Sequence, residues 1–125
     1  MITRFVAVCV EDDDDARLLL RHVVGGLGGV LIETANVEDG MSAIERHNPH
    51  LVLLDLALPG QSGWRVVDQM RADHQMQGTP IVVVSIRDQA EEEYRGRHVD
   101  WVQDYITKPF GMAELEASLK KVLGL

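Results

Sequence analysis

Five short apolar runs alternate along the chain with segments of helical periodicity, and this alternation constrains the fold more than any other feature. The runs lie at Phe5 to Val10, Val30 to Ile32, Leu51 to Leu54, Ile81 to Val84 and Trp101 to Ile106. Two of them, residues 51–54 and 81–84, are apolar at every position, which is typical of strands covered on both faces. The pattern therefore favours a parallel sheet with helices on both sides.

The segments between the runs carry the spacing of amphipathic helices. In the first, apolar residues recur at i, i+3, i+4, i+7, i+8 and i+11 from Ala16 to Leu27. Further helices are predicted at Met41 and Ile44 after Asp39-Gly40, at Trp64 to Met70, at Asp88 to His98, where the pattern is weakest, and at Met112 to Leu123. Five strands alternating with five helices predict an α/β fold with a five-stranded parallel sheet and right-handed crossovers.

Length and charge narrow the possible functions. A chain of 125 residues has room for one domain, which we expect to span residues 1–125. Its one cysteine, Cys9, excludes a disulfide framework and a cysteine-based zinc site and fits a reducing, cytoplasmic location. A net charge of −8 disfavours nucleic acids and anionic membrane surfaces, and the apolar runs are too short to span a membrane.

Charged and polar side chains directly follow four of the predicted strands. An acidic run, Glu11 to Asp15, follows the first strand, and Asp55, Ser85 and Lys108 follow the third, fourth and fifth. The functional crevice of a parallel sheet lies beyond the carboxyl ends of its strands, so these side chains are expected to converge. We interpret Asp13 to Asp15 as the capped first turn of a helix.

Helix capping does not explain why Glu11 and Asp12 should face Asp55. Two unit charges about 4 Å apart repel by ~4 kcal/mol at an effective dielectric constant near 20, so three carboxylates in one crevice need a cation. A few oxygen ligands suit Mg²⁺, which keeps several waters and binds one or two carboxylates together with a phosphoryl oxygen. The residues therefore predict a magnesium site.

Four motifs together resemble the receiver domain of two-component response regulators. They are Val10-Glu11-Asp12, Leu54-Asp55-Leu56-Ala57-Leu58-Pro59-Gly60 with Gly63, Val84-Ser85, and Tyr105-Ile106-Thr107-Lys108-Pro109-Phe110. Each motif alone is weak, but the set occurs in order and covers essentially the whole chain. The resemblance implies a doubly wound, flavodoxin-like sheet with strand order 2-1-3-4-5.

The resemblance also implies the chemistry of the site. Asp55 would be the phosphoacceptor, and Mg²⁺ would be held by Glu11, Asp12, Asp55 and the backbone carbonyl of Ala57. The phosphoryl donor would be a histidine kinase or a phosphotransfer protein, and the domain would catalyse only its own phosphorylation and dephosphorylation. The effector is unknown, and no nucleic acid or membrane is expected as a partner of this domain alone.

The remaining roles concern the switch. Lys108 would pair with the phosphoryl oxygens and Ser85 would hydrogen-bond the new phosphate. Tyr105 would report the state through its rotamer, and the face formed by the fourth helix, the fifth strand and the fifth helix would change. The Lys108–Pro109 peptide bond would be cis, which points the lysine into the site.

Three features depart from the family pattern, and one of them is the weakly amphipathic fourth helix at Asp88 to His98. Ile86 stands where a small residue is usual and is expected to narrow access to Asp55, and Trp101-Val102 replaces the common Gly-Ala before the fifth strand. Ile86 mildly favours a first alternative, a pseudo-receiver that is an interaction module without phosphorylation switching, whereas the retention of all five key side chains argues against it. The second alternative is a phosphohydrolase of the haloacid-dehalogenase type, but such enzymes want a second acid at the position that Ala57 occupies here.

Overall fold

One parallel sheet of five strands organises the molecule. A computed structural model describes residues 4–86 and 99–125, without the side chain of Val99. The strands are β1 (Phe5–Val10), β2 (Gly29–Thr34), β3 (Leu51–Leu54), β4 (Ile81–Ser85) and β5 (Asp104–Thr107), and they pair in the order β2-β1-β3-β4-β5. The chain is thus a doubly wound, flavodoxin-like α/β fold, as the sequence predicts.

Four helices among the described residues cover the two faces of the sheet. They are α1 (Asp14–Gly26), α2 (Val37–His47), α3 (Trp64–Ala72) and α4 (Met112–Leu123). The helices α1 and α4 pack on one face and bury Leu20 and Leu119 there, whereas α2 and α3 bury Ile44 and Met70 on the other. The predicted helix at Asp88 to His98 lies outside the described residues.

The central strands are covered on both faces because successive side chains point to opposite sides. In β1, Ala7 and Cys9 join the core beneath α1 and α4, and Val8 and Val10 join the core beneath α2 and α3. All four are fully buried. The apolar run of β1 therefore contributes side chains to the cores on both faces of the sheet.

The acidic run after β1 starts α1, as predicted. Asp13 is the N-cap, and its side chain accepts a hydrogen bond from the backbone N–H of Asp15 at 3.0 Å. Asp14 and Asp15 lie in the first turn, where carboxylates complement the helix dipole. At the other end of the chain, Gly124 caps α4 in the left-handed conformation.

The second helix begins earlier than the sequence suggests. Its N-cap is Asn36, whose side chain accepts from the N–H of Asp39 at 2.8 Å, so Asp39-Gly40 lies inside α2. The prediction of a start after Gly40 was wrong because that glycine serves close packing. A Cβ at Gly40 would lie 2.5 Å from a methyl group of Val10.

The fifth strand is shorter than predicted and begins at Asp104, not at Trp101. Residues Val99–Trp101 form a single 3₁₀ turn instead. The Trp101 carbonyl accepts two hydrogen bonds from the Arg71 guanidinium, at 2.7 and 2.9 Å, so it is not available to a strand ladder. The second strand is longer than predicted, Gly29–Thr34, because it pairs with β1 along its whole length.

A short hairpin follows β3 and was not predicted. It joins the two-residue strands Ala57–Leu58 and Gln61–Ser62, with Gly60 at φ 67° in the turn.

Within the described ranges, no helix combines the length and the apolar character needed to cross a membrane.

Candidate functional site

Four sequence-predicted residues meet at the carboxyl edge of the sheet. Glu11 directly follows β1, Asp55 follows β3, Ser85 ends β4 and Lys108 follows β5. Backbone bonds continue the sheet pairing into this edge: Asp55 donates to the Val10 carbonyl at 2.9 Å, and Lys108 donates to the Ser85 carbonyl at 3.0 Å. These hydrogen bonds fix the backbone positions of Asp55 and Lys108 relative to β1 and β4.

Asp55 lies at the centre of the site and is 5% exposed. Its Oδ1 accepts hydrogen bonds from the Ser85 hydroxyl and from the Ala57 backbone N–H, both at 2.9 Å. Its Oδ2 accepts from the Lys108 ammonium at 3.2 Å. Both oxygens are therefore oriented by fixed donors.

Glu11 and Asp12 complete the acidic side of the crevice. Glu11 is buried, pairs with the Lys108 ammonium and accepts from the Asp13 N–H at 3.2 Å. Asp12 is exposed at the mouth. Carboxylate oxygens from Glu11, Asp12 and Asp55 all lie within 4.8 Å of one another.

The proximity of these groups shifts their protonation in the metal-free protein. Burial, together with the neighbouring Asp55, raises the pKa of Glu11 to about 7. Burial also opposes ionisation of Asp55, but the Ala57 amide, Glu11 and the Lys108 charge outweigh it, so the pKa of Asp55 is lowered. The pKa of Lys108 is raised, because Glu11 and Asp55 outweigh the cost of its burial.

The donor set fits a hard divalent cation. In the described part of the chain, one ammonium, that of Lys108, pairs with this group of three carboxylates, and a cation of small radius prefers such oxygens. The exposed Asp12 provides an open side on which water or a phosphoryl oxygen could complete the coordination. The cluster therefore matches the residues predicted to hold Mg²⁺.

The loop after Asp55 passes very close to its own backbone. At Gly63, an added Cβ would lie 2.2 Å from the carbonyl oxygen of Asp55. The hairpin between them brings the Ala57 N–H onto the Asp55 side chain. Glycine at position 63 is thus a steric requirement of the loop after Asp55, which explains its place in the motif.

Tyr105 lies on β5 and is half-buried against the core beneath α2 and α3. It pairs with Val83 in the sheet register, while Ser85 pairs with Thr107, so Tyr105 and Ser85 belong to the same face of neighbouring strands. The Tyr105 ring lies 6.5 Å from that of Trp64 at the start of α3, at an angle of 47°. This aromatic pair was not foreseen.

Ile86 lies beside the site and is 53% exposed. It lines a mostly apolar groove with Lys108, the start of α1 and the residues after β5, namely Asp13, Asp15, Ala16, Leu19, Pro109 and Phe110. The peptide bond between Lys108 and Pro109 is cis. Ile86 and Lys108 thus border the same opening.

Two residues that support the site escaped the sequence reasoning. Arg17 on α1 donates to the backbone carbonyl of Glu11 at 2.7 Å. Gln61, in the hairpin after Asp55, accepts from the N–H of Val37 at the start of α2, at 3.2 Å. Arg17 sits on the polar side of an amphipathic pattern and Gln61 in a turn, so neither position carries a signal of its own.

Comparisons with known proteins agree with this geometry. A family model described as the response regulator receiver domain matches residues 7–120. Over 114 residues, which is 91% of this chain, the sequence is 32% identical to the phosphate regulon transcriptional regulatory protein PhoB of Pseudomonas aeruginosa and 31% identical to PhoB of Escherichia coli. The aligned part is 49% of each relative, so the chain spans about half the length of these curated proteins.

Solved structures show the same fold. A response regulator from Chloroflexus aurantiacus superposes with a TM-score of 0.85 at 25% identity, covering 97% of this chain and 98% of that one. A receiver domain described as CheY-like, from Methylobacillus flagellatus, gives 0.79 at 26% identity, with 94% and 97% covered.

Proposed function

Because the chain belongs to the response regulator receiver domain family of two-component signalling, we propose that it is a phosphorylatable switch with Asp55 as its phosphoacceptor. The observation that carries this proposal is the surroundings of Asp55: a lysine on Oδ2, a hydroxyl and an amide on Oδ1, and two further acids within 4.8 Å. In this proposal, residues 1–125 act as one receiver domain, of which residues 7–120 match the family model.

The reaction is the attack of one Asp55 oxygen on a phosphoryl group carried by a histidine of the partner. A P–O bond forms, the P–N bond breaks, and the imidazole leaves with the electron pair of that bond, so the product is an acyl phosphate. Asp55 starts as the carboxylate, since its pKa is lowered. No proton has to leave Asp55, and the reaction is accelerated mainly by positioning of the reactants and by neutralisation of the phosphoryl charge.

The chain's own groups supply that positioning. Lys108, already 3.2 Å from Asp55, would pair with an equatorial phosphoryl oxygen, and the Ser85 hydroxyl would donate to another. Glu11, Asp12 and Asp55, with the Ala57 carbonyl, would hold Mg²⁺. When bound, that ion supplies further neutralisation of the phosphoryl charge.

The output of the switch is a change on the face that includes β5 and α4. When the Ser85 hydroxyl donates its hydrogen bond to the phosphate and no longer to Asp55, the packing of Tyr105 would change, because Tyr105 lies on the same face of the sheet. The donor is a histidine kinase or a phosphotransfer protein, and the compartment is the cytoplasm. The curated relatives are named transcriptional regulators and are about twice as long, so an effector attached to or bound by this domain is the recipient of the signal.

Mass spectrometry of the intact chain tests the acceptor. With Mg²⁺ and acetyl phosphate, we expect one added phosphoryl group that is stable in acid and lost in base. Asp55→Asn should remove it. Asp15→Asn is the matched control, because Asp15 belongs to the same acidic region but lies in the first turn of α1 and not in the oxygen cluster. Stoichiometric phosphorylation of Asp55→Asn would contradict the assignment.

A further inference from the structure

Arg17 reaches from α1 to the segment that carries the metal-binding acids. Its Nη1 donates to the Glu11 backbone carbonyl at 2.7 Å, and its side chain is only 19% exposed. The N–H of the same residue, Glu11, donates to the Thr34 carbonyl of β2 at 3.0 Å. The backbone of Glu11 is therefore held at its N–H by β2 and at its carbonyl by Arg17.

The guanidinium is itself anchored on two other sides. It pairs with the Asp14 carboxylate, and its Nε lies 3.5 Å from Oε1 of Glu33 on β2. Glu33 is in turn fixed by Arg21, whose Nε and Nη2 donate to its two carboxylate oxygens at 2.7 and 2.8 Å. Arg17 thus connects the loop after β1 to an ion pair between α1 and β2.

From this geometry we propose that Arg17 is a positioning residue that fixes the Glu11-Asp12 segment for Mg²⁺ binding, an inference that rests on the proposed function. The direction of a carboxylate depends on the peptide units beside it, and the carbonyl of Glu11 belongs to the peptide that joins Glu11 to Asp12. Groups that orient metal ligands in this indirect way change metal affinity by roughly 10–100-fold when they are removed.

The chemistry of arginine suits this position. A planar guanidinium presents five N–H donors in fixed directions and can bind a carbonyl and two carboxylates at once. A lysine has one compact ammonium, which cannot reach all three with the same geometry. The positive charge also lies beside a crowded group of acids, where it offsets part of their repulsion.

Arg21 is a matched control within the same helix. Its contacts with Glu33 are shorter than that of Arg17, and within the described part of the chain it makes no hydrogen bond or ion pair with the loop after β1. Arg21→Gln therefore removes an arginine and an ion pair on Glu33 without removing the bond to the Glu11 carbonyl. A difference between the two variants reports that bond.

Calorimetric titration of the whole chain with MgCl₂ is the first measurement. We expect Arg17→Gln to weaken Mg²⁺ binding about tenfold, Arg17→Lys to recover part of the loss, and Arg21→Gln to stay within about twofold of the wild type. The second measurement is hydrogen exchange of the metal-free protein. Arg17→Gln should speed exchange in a peptide covering residues 11–13, and Arg21→Gln should not.

The two measurements separate this inference from the proposed function. Absence of Mg²⁺ binding by the wild type would contradict the proposed metal site, and exchange at residues 11–13 would then decide the positioning role alone. Unchanged exchange in Arg17→Gln overturns the positioning role. If the wild type binds Mg²⁺, equal affinities of Arg17→Gln and wild type, or equal losses in Arg17→Gln and Arg21→Gln, also overturn it.

Discussion

The Ser85 hydroxyl donates to Asp55 Oδ1 at 2.9 Å across the boundary between β3 and β4, with both residues buried. The group expected to bind the phosphate is thus already in contact with the acceptor before any phosphoryl group arrives. In the proposed function, phosphorylation would require this hydroxyl to exchange one acceptor oxygen for another and would not require it to move into the site. Tyr105 lies on the neighbouring strand β5, opposite Val83 and on the same face of the sheet as Ser85, so a small displacement at Ser85 would reach it across that face.

Replacing Ser85 with Ala tests this arrangement. Asp55 keeps the Ala57 N–H and Lys108, so Ser85→Ala should still accept phosphate from acetyl phosphate. Loss of a buried hydrogen bond to a charged group should lower the free energy of unfolding by about 1.5–3 kcal/mol in urea titrations. Ser42→Ala, on the exposed side of α2, is the control. Loss of phosphorylation in Ser85→Ala would show that the hydroxyl is required for transfer.

The sequence could predict that the acids after the strands lie close to Ser85 and Lys108, because sheet geometry determines where such residues lie. Once the apolar runs indicate parallel strands, the residue after each strand must lie at one edge. The position of Arg17 could not be predicted in this way. Its bond to the Glu11 carbonyl depends on how α1 returns toward the loop that precedes it, and its link to Glu33 depends on the packing of α1 against β2.

Removal of the metal ion should destabilise the protein. Glu11, Asp12 and Asp55 lie within 4.8 Å of one another, and a bound cation should relieve the repulsion that the Lys108 ammonium leaves uncompensated. Mg²⁺ at ten times its Kd should stabilise the fold by ~1.4 kcal/mol, and EDTA should reverse the effect. Asp12→Ala should abolish most of the shift in Tm, whereas Asp15→Ala should retain it. A Tm that ignores millimolar Mg²⁺ in the wild type would contradict a working metal site.

Ile86 should slow the loss of phosphate from Asp55. It borders the opening that contains Lys108, and attack by water on the phosphoryl group needs an in-line approach from outside. We expect Ile86→Ala to speed dephosphorylation without changing Mg²⁺ affinity, and a barrier change of about 1.4 kcal/mol would give a tenfold difference in rate. Phosphorylation should accelerate as well, because the donor uses the same approach.

Decay of the phosphorylated chain after donor removal measures this effect. Leu18→Ala is the control, because Leu18 is also a largely exposed aliphatic side chain (55%) but lies outside the groove beside Lys108. Equal decay in wild type and Ile86→Ala would mean that the side chain does not obstruct the approach of water.

Cys9 should be inert in the folded protein. Its side chain is fully buried in β1, and burial raises the pKa of the thiol to about 12. A disulfide reagent at pH 8 should therefore label the native chain very slowly and label it completely in guanidinium chloride. Since the unfolded thiol ionises near pH 9, the free energy of unfolding should fall between about pH 9 and pH 12. Rapid native labelling would show that β1 opens locally.

The start of β5 shows what apolar patterning alone could not indicate. Trp101 and Val102 read as the beginning of a strand, but Trp101 belongs to a 3₁₀ turn whose carbonyl is bound by Arg71. The guanidinium also donates to the carbonyls of Met76, Gln77 and Thr79. A single arginine at the end of α3 thus fixes two loops, and no local sequence pattern records such a contact.

Arg71 should therefore be among the most important side chains for stability outside the apolar core. Among the described residues its acceptors are neutral carbonyls, and burial lowers its pKa, so the guanidinium acts there through hydrogen bonds. We expect Arg71→Ala to lower the free energy of unfolding by about 2–3 kcal/mol, because it leaves several carbonyls without a donor. Arg71→Lys should recover only part of this loss, since one ammonium cannot span both loops.

Arg65→Ala, on the exposed side of α3, is the control and should stay within about 0.5 kcal/mol of the wild type. Urea unfolding of the three variants measures the difference, and similar losses in Arg71→Ala and Arg65→Ala would show that solvent replaces these bonds.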